Sequence, residues 1–403
     1  MVGSRTVVSY LSLFVAFVTA CVVVAVALSA APAEGQNAPP EGFSQELVAE
    51  GLNRPTAMAF APDGRLFVTE QGGAVRIIKD GELLATPFAK FGASSIATAG
   101  ERGLLGIAFD PWFEKGRPYV YVYYTRKGAR DRPPRNRIVR FTARDDRIVP
   151  GSFKVIFELE ALGGRSHNGG AIHFGEDKKL YIATGDNGKG WRAQSLKNLS
   201  GKILRINPSG GIPSSNPFYR KTSGKDRAIW ARGFRNPFSF AVKPGSGAIF
   251  VNDVGEQAWE EVNYLRKGRN YGWPYKEGYE KARRYTQPIY AYRQTEGACA
   301  ITGGTFYNPE NPQFPEEYVN DYFFSDFCAG WIRSRDNGTR SVKEFKGSSS
   351  EAQVPPGPSG NPGSQQFIVD LKVGANGELY YLARDESRTN GSVEKITYQP
   401  PAP

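Results

Sequence analysis

The sequence predicts an all-β chain, and two observations support this. Apolar, aromatic-rich runs follow turn signals again and again, as at 62–69, 176–183, 245–251 and 375–382, which is the pattern of a turn that feeds a strand. The 46 glycines and 28 prolines punctuate many such turns. Stretches with the period of an amphipathic helix are sparse, and long βαβ units are not evident, so a doubly wound α/β fold is unsupported.

Partner strands recur beside these hairpins. The segments 74–78, 138–141, 203–206 and 393–396 alternate apolar and charged positions. Repetition of one hairpin-plus-strand unit predicts a circular array of small antiparallel sheets, a β-propeller. The loops between its strands would build a site at one end of the central channel.

Two glycine-marked segments, 166–170 and 183–188, carry His167 and Asp186. A neutral imidazole suits proton abstraction near pH 7, and a nearby carboxylate would set its tautomer and stabilise its charged form. A histidine satisfied in a tight turn remains the alternative for His167 alone. About sixty residues on, Arg235 and Asn236 offer a fixed cation and an amide that could hold an oxygen-rich ligand.

These segments carry a resemblance. Together with 101–109, 201–206, 235–237 and 270–274, they are similar in order and approximate spacing to the soluble glucose/sorbosone dehydrogenase family. The match runs from about residue 52 to 396. The resemblance implies a six-bladed β-propeller of four-stranded antiparallel blades over residues 51–398. It also implies the use of pyrroloquinoline quinone and calcium to oxidise an aldose at its anomeric hydroxyl.

The resemblance assigns roles to particular residues. His167 would be the base that removes the hydroxyl proton, and Asp186 would orient it. Arg235 and Asn236 would hold the carbonyl edge of the quinone. Glu101 stands where quinone-binding members usually carry a glutamine.

Calcium would be bound through the backbone carbonyls of Gly255 and Glu256 and would polarise the quinone. Glu261, which follows the same turn, is the carboxylate expected to support the ion. A role as an ordinary strand residue is the alternative for Glu261.

Several positions depart from the family pattern. Quinone-using members carry a lysine near the position of Phe327 and Cys328, and two arginines at those of Phe367 and Val369. Phe238 replaces a further glutamine. Three cations that pair with cofactor carboxylates are therefore absent, and each such charge-assisted hydrogen bond contributes about 1.5 to 3 kcal/mol. Three other arginines are available to replace them: Arg232, Arg333 and Arg335.

Once Cys21 is assigned to a leader, an even number of cysteines remains, Cys299 and Cys328. The simple prediction is that they form a disulfide. A metal site or a thiol nucleophile would need clustered histidine and cysteine partners, which the sequence does not offer.

The N-terminal residues 1–33 read as a secretory signal, because Arg5 precedes an uncharged, mostly apolar stretch over 7–30. A retained membrane anchor, or lipidation at Cys21, is the alternative. Residues 34–50 are expected to form a linker and the first strand, and 399–403 a tail. The protein is thus expected outside the cytoplasm, secreted or anchored there.

The formal net charge is +11, with an isoelectric point near 9.4. The basic residues are scattered apart from the loop 126–137, and no nucleic-acid-binding signature accompanies them. The expected partner is a small sugar or an oligosaccharide, without nucleic acid. The sequence gives no reason to infer an oligomer.

Three functions remain open at this stage. The first is a quinone-dependent sugar dehydrogenase with a rearranged cofactor shell. The second is a non-catalytic propeller that binds carbohydrate or protein, since similar animal proteins with a comparable cysteine pair act as binding ectodomains. The third is a hydrolase or lyase that uses His167 and Asp186.

Overall fold

The computed structural model describes residues 39–280, 283–295, 297–347 and 366–400. The predicted signal over 1–33, including Cys21, lies outside these residues. Within them, no helix is long and apolar enough to cross a membrane.

The strands form six small antiparallel sheets, each an individual blade. Blade 6 combines both ends of the chain, β1 (Phe43–Asn53) with β24 (Phe367–Val373), β25 (Leu379–Arg384) and β26 (Asn390–Tyr398). Blade 1 holds β2 (Pro55–Phe60), β3 (Leu66–Glu70), β4 (Ala74–Lys79), β5 (Glu82–Leu83) and β6 (Ala89–Lys90). Blade 2 holds β7 (Leu104–Phe109), β8 (Tyr119–Arg126), β9 (Arg135–Arg144), β10 (Arg147–Ile148) and β11 (Lys154–Ala161).

The remaining three blades have four strands each. Blade 3 holds β12 (Ile172–Phe174), β13 (Leu180–Thr184), β14 (Lys202–Ile206) and β15 (Ile229–Arg232). Blade 4 holds β16 (Pro237–Val242), β17 (Ile249–Asp253), β18 (Trp259–Tyr264) and β19 (Tyr290–Arg293). Blade 5 holds β20 (Ile301–Phe306), β21 (Tyr322–Asp326), β22 (Ile332–Arg335) and β23 (Val342–Lys346).

The predicted six-bladed β-propeller is confirmed, with one additional short strand in each of blades 1 and 2. The first strands of successive blades contact one another around the ring, and β24 returns to β2. Helical structure in the described ranges is limited to short 3-10 turns at Phe113–Lys115, Gly190–Gln194, Gly224–Ala228 and Glu316–Tyr318.

Ring closure joins the two chain ends. Strand β1 pairs antiparallel with β26, in a register that runs from Phe43 opposite Tyr398 to Asn53 opposite Asn390. The last blade therefore cannot be completed without the first strand.

The apolar core lies between neighbouring blades. Phe67 and Val75 of blade 1, for example, are fully buried in one cluster with Leu104 and Val122 of blade 2. Packing between blades leaves an axial cavity of about 320 Å³, and each blade's innermost strand contributes to its lining. One lining residue from the innermost strand of each blade is Thr56, Ile107, Ile172, Ser239, Thr302 and Asp370, respectively.

The predicted disulfide is also confirmed. Cys299 and Cys328 are bonded, with their Cα atoms 5.5 Å apart. Cys299 precedes β20 and Cys328 follows β21, and these two strands are neighbours in blade 5.

Candidate active site

His167 and Asp186 meet at one end of the propeller. His167 lies in the turn before β12, and Asp186 comes two residues after the end of β13. The Nδ1 atom of His167 is 2.7 Å from Oδ1 of Asp186. The structure therefore brings together the two residues that the sequence singled out.

The glycines of the two segments make this approach possible. A Cβ atom on Gly185 would lie 2.1 Å from the carbonyl oxygen of His167, so only glycine fits there. His167 itself has a φ of +53°, a left-handed conformation that is uncommon for a residue with a side chain. Its backbone N–H donates to Oε2 of Glu101 at 2.7 Å, which helps to hold that conformation.

The carboxylate of Asp186 is 1% exposed and is held by two further donors. The backbone N–H of Gly188 donates to Oδ1 at 2.7 Å, and the indole Nε1–H of Trp273 donates to Oδ2 at 2.8 Å. Trp273 fell inside a segment quoted for the family resemblance, but its contact with Asp186 was not predicted.

This network assigns the tautomer of His167. An ionised carboxylate only accepts hydrogen bonds, so Nδ1 carries the hydrogen and Nε2 keeps its lone pair. No group in the described ranges bonds to Nε2, and the side chain keeps 18% of its exposure. The free Nε2 of His167 can therefore accept a proton.

Arg235 and Asn236 are tied to the same cluster. Oδ1 of Asn236 accepts from the backbone N–H of Gly169 at 3.1 Å, and the carbonyl of Arg235 accepts from the N–H of Asp186 at 2.8 Å. The buried Asp253 anchors both residues, since its carboxylate accepts their backbone N–H groups at 3.0 and 2.8 Å.

The guanidinium of Arg235 faces the indole of Trp273. Its Cζ atom is 5.6 Å from the ring centroid, and Nη1 donates to the carbonyl of Val254 at 3.2 Å. The buried Nε atom has no partner in the part of the chain that the structure describes. Arg235 thus keeps an unused donor, but it lines a small neighbouring cavity with Asp253 and Glu261 rather than the axial cavity.

The axial cavity opens beside this cluster. Glu101 and Asn236 line it, and Phe238, Phe327 and Val369 contribute apolar wall. An apolar-walled cavity with a few polar groups is typical of a small-molecule binding site.

Arg384 is a cavity-lining cation that the sequence did not reveal. In the register of blade 6 it lies directly opposite Phe367, one of the positions where the family pattern has arginine. Its Nε donates to the carbonyl of Pro55 at 2.9 Å, and no carboxylate of the described chain forms an ion pair with it. Burial, assisted by the charge of Arg54, lowers the pKa of Arg384 to about 10.

A second unpredicted cation, Arg388, covers the aromatic pair that replaces the family's cations. Its Cζ atom lies 4.4 Å from the ring centroid of Phe367 and 5.7 Å from that of Phe327. Strand pairing places Arg384, and turn geometry places Arg388, beside Phe367. The order of the sequence motifs predicts neither arginine.

The three arginines suggested from the sequence are engaged elsewhere and do not line the cavity. Arg232 donates to the carbonyl of Gln194 at 3.0 Å. Arg333 pairs with Glu344 at 3.8 Å, and Arg335 donates to Asn337 at 2.8 Å.

Lys372 and Asp370 also line the cavity. The Nζ atom of Lys372 lies 2.6 Å from Oδ1 of Asp370, so their charges offset each other. The second histidine, His173, lines the same cavity and packs edge-on against Phe240. Burial, with a smaller contribution from the charge of Lys372, lowers the pKa of His173 to about 3. His173 is therefore neutral at physiological pH.

Glu261, the expected calcium-supporting carboxylate, lies on β18 and is buried. Its Oε1 accepts from the N–H of Gly278 at 2.6 Å, and its Oε2 accepts from Asn263 at 2.8 Å. The ammonium of Lys276 lies 3.8 Å from Oε1. Burial raises the pKa of Glu261.

Gly255 and Glu256 lie in the turn after β17, as expected. The N–H of Glu256 donates to Oε1 of Glu277 at 2.6 Å, and a Cβ atom on Gly255 would lie 1.7 Å from the carbonyl oxygen of Trp259. No group of three or more His, Cys, Asp or Glu in the described ranges is arranged to hold a metal ion. Both carboxylate oxygens of Glu261 already accept hydrogen bonds from protein groups, so this side chain does not fit the expected role of supporting a calcium ion.

The chain is thus a six-bladed propeller with a hydrogen-bonded histidine–aspartate pair beside an axial cavity. The model of the family described as Glucose / Sorbosone dehydrogenase matches residues 52–336. The chain belongs to this family.

Two curated relatives support the assignment. The aldose sugar dehydrogenase YliI of Escherichia coli is 29% identical over 376 residues, covering 89% of this chain and 94% of the relative. Quinoprotein glucose dehydrogenase B of Acinetobacter calcoaceticus is 29% identical over 286 residues, covering 64% of this chain and 58% of the relative. Among solved structures, the soluble aldose sugar dehydrogenase of E. coli in its apo-form aligns with a TM-score of 0.73 and 28% identity, over 89% of this chain and all of the other.

Proposed function

We propose that this protein oxidises an aldose at its anomeric hydroxyl, with pyrroloquinoline quinone as the hydride acceptor. The observation that carries the proposal is the hydrogen-bonded series of His167, Asp186 and Trp273. The backbone N–H of His167 ties this series to Glu101, which lines the axial cavity. Family membership supports sugar dehydrogenase chemistry at the coarser level.

His167 performs the proton transfer in this proposal. Its Nε2 accepts the proton of the anomeric hydroxyl, and the imidazolium that forms is stabilised through Nδ1–H by Asp186. Trp273 and Gly188 keep the carboxylate of Asp186 in place during the transfer. When bound, pyrroloquinoline quinone supplies an electrophilic carbonyl that takes up the hydride from the anomeric carbon. The sugar loses one proton and one hydride and leaves as a lactone.

The residues that would hold the quinone come from several blades. Arg235 and Asn236 lie beside His167, and Arg384 provides a guanidinium without a carboxylate partner among the described residues. A desolvated cation in an apolar-walled cavity favours an anionic ligand, because the ligand's carboxylate replaces water that burial has removed. Phe238, Phe327 and Val369 would enclose the planar rings.

The test is a dye-linked oxidation assay over a panel of aldoses with quinone-loaded protein. We expect sugar-dependent dye reduction by the wild type. In His167→Ala, turnover should fall by about two to four orders of magnitude, the usual contribution of a positioned general base. A variant that keeps wild-type turnover would contradict the role of His167.

A binding propeller without redox chemistry is the second candidate. The observation that favours it is the aromatic pair Phe327 and Phe367, whose ring centroids are 5.0 Å apart at positions where quinone-using members carry cations. In that case the axial cavity would bind a sugar ring, and added quinone would neither bind nor support dye reduction.

Export from the cytoplasm accompanies both candidates. The bond between Cys299 and Cys328 supports it, because disulfides persist mainly in oxidising compartments. The substrate would then be a small sugar or an oligosaccharide outside the cytoplasm.

A further inference from the structure

Lys276 places a charged group inside the propeller at the position where a calcium ion was expected. Its side chain is 0% exposed, and its ammonium lies 3.8 Å from Oε1 of Glu261. That distance is too long for a hydrogen bond, and the ammonium has no other hydrogen-bond partner in the described ranges. Burying an ammonium without hydrogen bonds costs free energy unless nearby negative charges compensate for it.

The surroundings are acidic. Asp253, Glu261 and Glu277 line the small cavity that Lys276 enters, and Glu280 adds to the negative potential at the ammonium. The cavity lining includes one further cation, Arg235, so the carboxylates outnumber the cations. The free space is about 10 Å³, no more than a single water molecule needs. With the ammonium in place, the cavity cannot also hold a hydrated divalent cation.

The local fold is built to deliver this side chain. Gly272 has a φ of +105°, and a Cβ atom there would lie 2.8 Å from Cβ and 3.2 Å from Cδ of Lys276. Glycine at position 272 therefore leaves room for the side chain of Lys276 to pack against the backbone of its own loop. At the other end of the loop, the N–H of Gly278 donates to the same Oε1 of Glu261.

The loop between these two glycines carries Trp273, whose indole holds Asp186. Glu261 on β18 thus holds the loop at two points, the ammonium of Lys276 and the backbone of Gly278. Trp273 is also held by its own backbone, because its N–H donates to the carbonyl of Gly233 at 3.0 Å and its carbonyl accepts from Gln194 at 2.6 Å.

We propose that Lys276 is a positioning residue whose ammonium acts as a built-in cation. Together with Arg235 it offsets the charge of Asp253, Glu261 and Glu277, and it ties the Trp273 loop to β18, so the loop is held without a metal ion. Its consequence for Asp186 rests on the proposed function, whereas the pocket itself does not.

The proposal predicts what happens when the ammonium is removed. Lys276→Ala leaves the carboxylates and opens the volume of the lysine side chain, which creates an oxygen-lined space of the kind that calcium binds. Lys276→Met removes the charge but fills most of the same volume. The two variants therefore separate charge from space.

The experiment measures the thermal midpoint of quinone-free protein in EDTA and in millimolar calcium. We expect no difference for the wild type, a lowered midpoint for both variants, and recovery with calcium in Lys276→Ala only. A calcium-dependent rise in the wild type, or a midpoint of Lys276→Ala that does not respond to calcium, would overturn the proposal. These readouts contain no redox step, so they decide the matter even if the wild type oxidises no sugar.

A double variant keeps the test decisive if the single variants fold poorly. Lys276→Met with Glu261→Gln removes both charges, and its midpoint should lie above that of Lys276→Met alone. A midpoint equal to or below that of the single variant would show that Lys276 does not serve Glu261.

The positioning role has its own readout. In quinone-loaded Lys276→Ala, calcium should restore kcat for sugar oxidation while KM stays unchanged, because the repair acts on Trp273 and Asp186 rather than on sugar binding. A change in KM alone would assign Lys276 to the substrate site and contradict the positioning role.

Discussion

At the scale of single residues, the indole of Trp273 is the least expected participant in the site. It donates to the carboxylate that orients His167, and hydrogen bonds to charged groups contribute about 1.5 to 3 kcal/mol. Trp273→Phe keeps an aromatic ring but loses the indole N–H donor. We expect kcat for sugar oxidation to fall by about 10- to 100-fold, with quinone affinity within a few-fold of wild type. An unchanged kcat would show that Gly188 alone orients Asp186.

Arg384 is the residue on which retention of an anionic cofactor should depend most. Arg384→Ala should weaken quinone binding by about 10- to 100-fold, the usual loss for one charge-assisted hydrogen bond. Arg333→Ala is the matched control, since Arg333 pairs with Glu344 and does not line the cavity. Quenching of tryptophan fluorescence by added quinone measures both affinities. Equal affinities for the two variants would remove Arg384 from the cofactor site.

The sequence could predict His167, Asp186, Arg235 and Asn236 as one cluster, because glycine-marked motifs in family order identify them locally. It could not predict Arg384. That side chain reaches the cavity only through its pairing opposite Phe367, and such a register is fixed by the assembled sheet. Lys276 was equally hidden, because its burial depends on the loop fold that Gly272 permits.

At the scale of elements, Lys202 on β14 holds the 3-10 turn Gly190–Gln194 against blade 3. Its ammonium donates to the carbonyls of Arg192 at 2.9 Å, Ala193 at 3.0 Å and Ser200. Burial lowers the pKa of Lys202 to about 7. The unfolded chain keeps this proton up to about pH 10, so the unfolded state binds more protons between pH 7 and 10.

The contribution of Lys202 to the free energy of unfolding should therefore rise as the pH increases from 7 to 10. Lys202→Met lacks that contribution, and its unfolding free energy should rise less over the same interval. Urea unfolding of both proteins at the two pH values measures the difference. Identical pH dependence would mean that the folded protein keeps Lys202 protonated up to pH 10.

The disulfide of blade 5 is the second element-scale test. It closes a loop with a sequence separation of 29, for which the chain-entropy model gives about 3 to 4 kcal/mol. Cys299→Ser with Cys328→Ser should lower the free energy of unfolding by about that amount in a denaturant titration. A loss below about 1 kcal/mol would indicate that residual structure in the segments of β20 and β21 already restricts this loop in the unfolded chain.

The turn-and-strand repeats predicted the long strands well. The segments 62–69, 176–183, 245–251 and 375–382 contain or lead into β3, β13, β17 and β25. The short strands β5, β6 and β10 escaped prediction, because two residues carry no periodic pattern and pair only once a neighbouring strand exists.

At the scale of the whole molecule, closure of the ring by β1 should control cooperativity. Without β1, strand β26 becomes an unpaired edge and the last blade loses its fourth strand. A chain that begins after Asn53 lacks β1, so it should unfold at a lower temperature and aggregate. A chain that begins at residue 39 keeps β1, so it should be as stable as a chain that begins at residue 34. Calorimetry of the two truncated proteins measures this, and equal midpoints would show that the ring holds without closure.

The central claim is that the axial cavity binds a quinone beside His167. The most direct measurement is a titration of the quinone-free protein with pyrroloquinoline quinone in the presence of calcium, followed by dye-linked oxidation over an aldose panel. The account predicts saturable binding of one quinone per chain below micromolar concentration, weakened in Arg384→Ala, and sugar-dependent dye reduction that His167→Ala abolishes without releasing the quinone. Absence of binding at micromolar quinone would contradict it and leave the sugar-binding propeller without redox chemistry as the function.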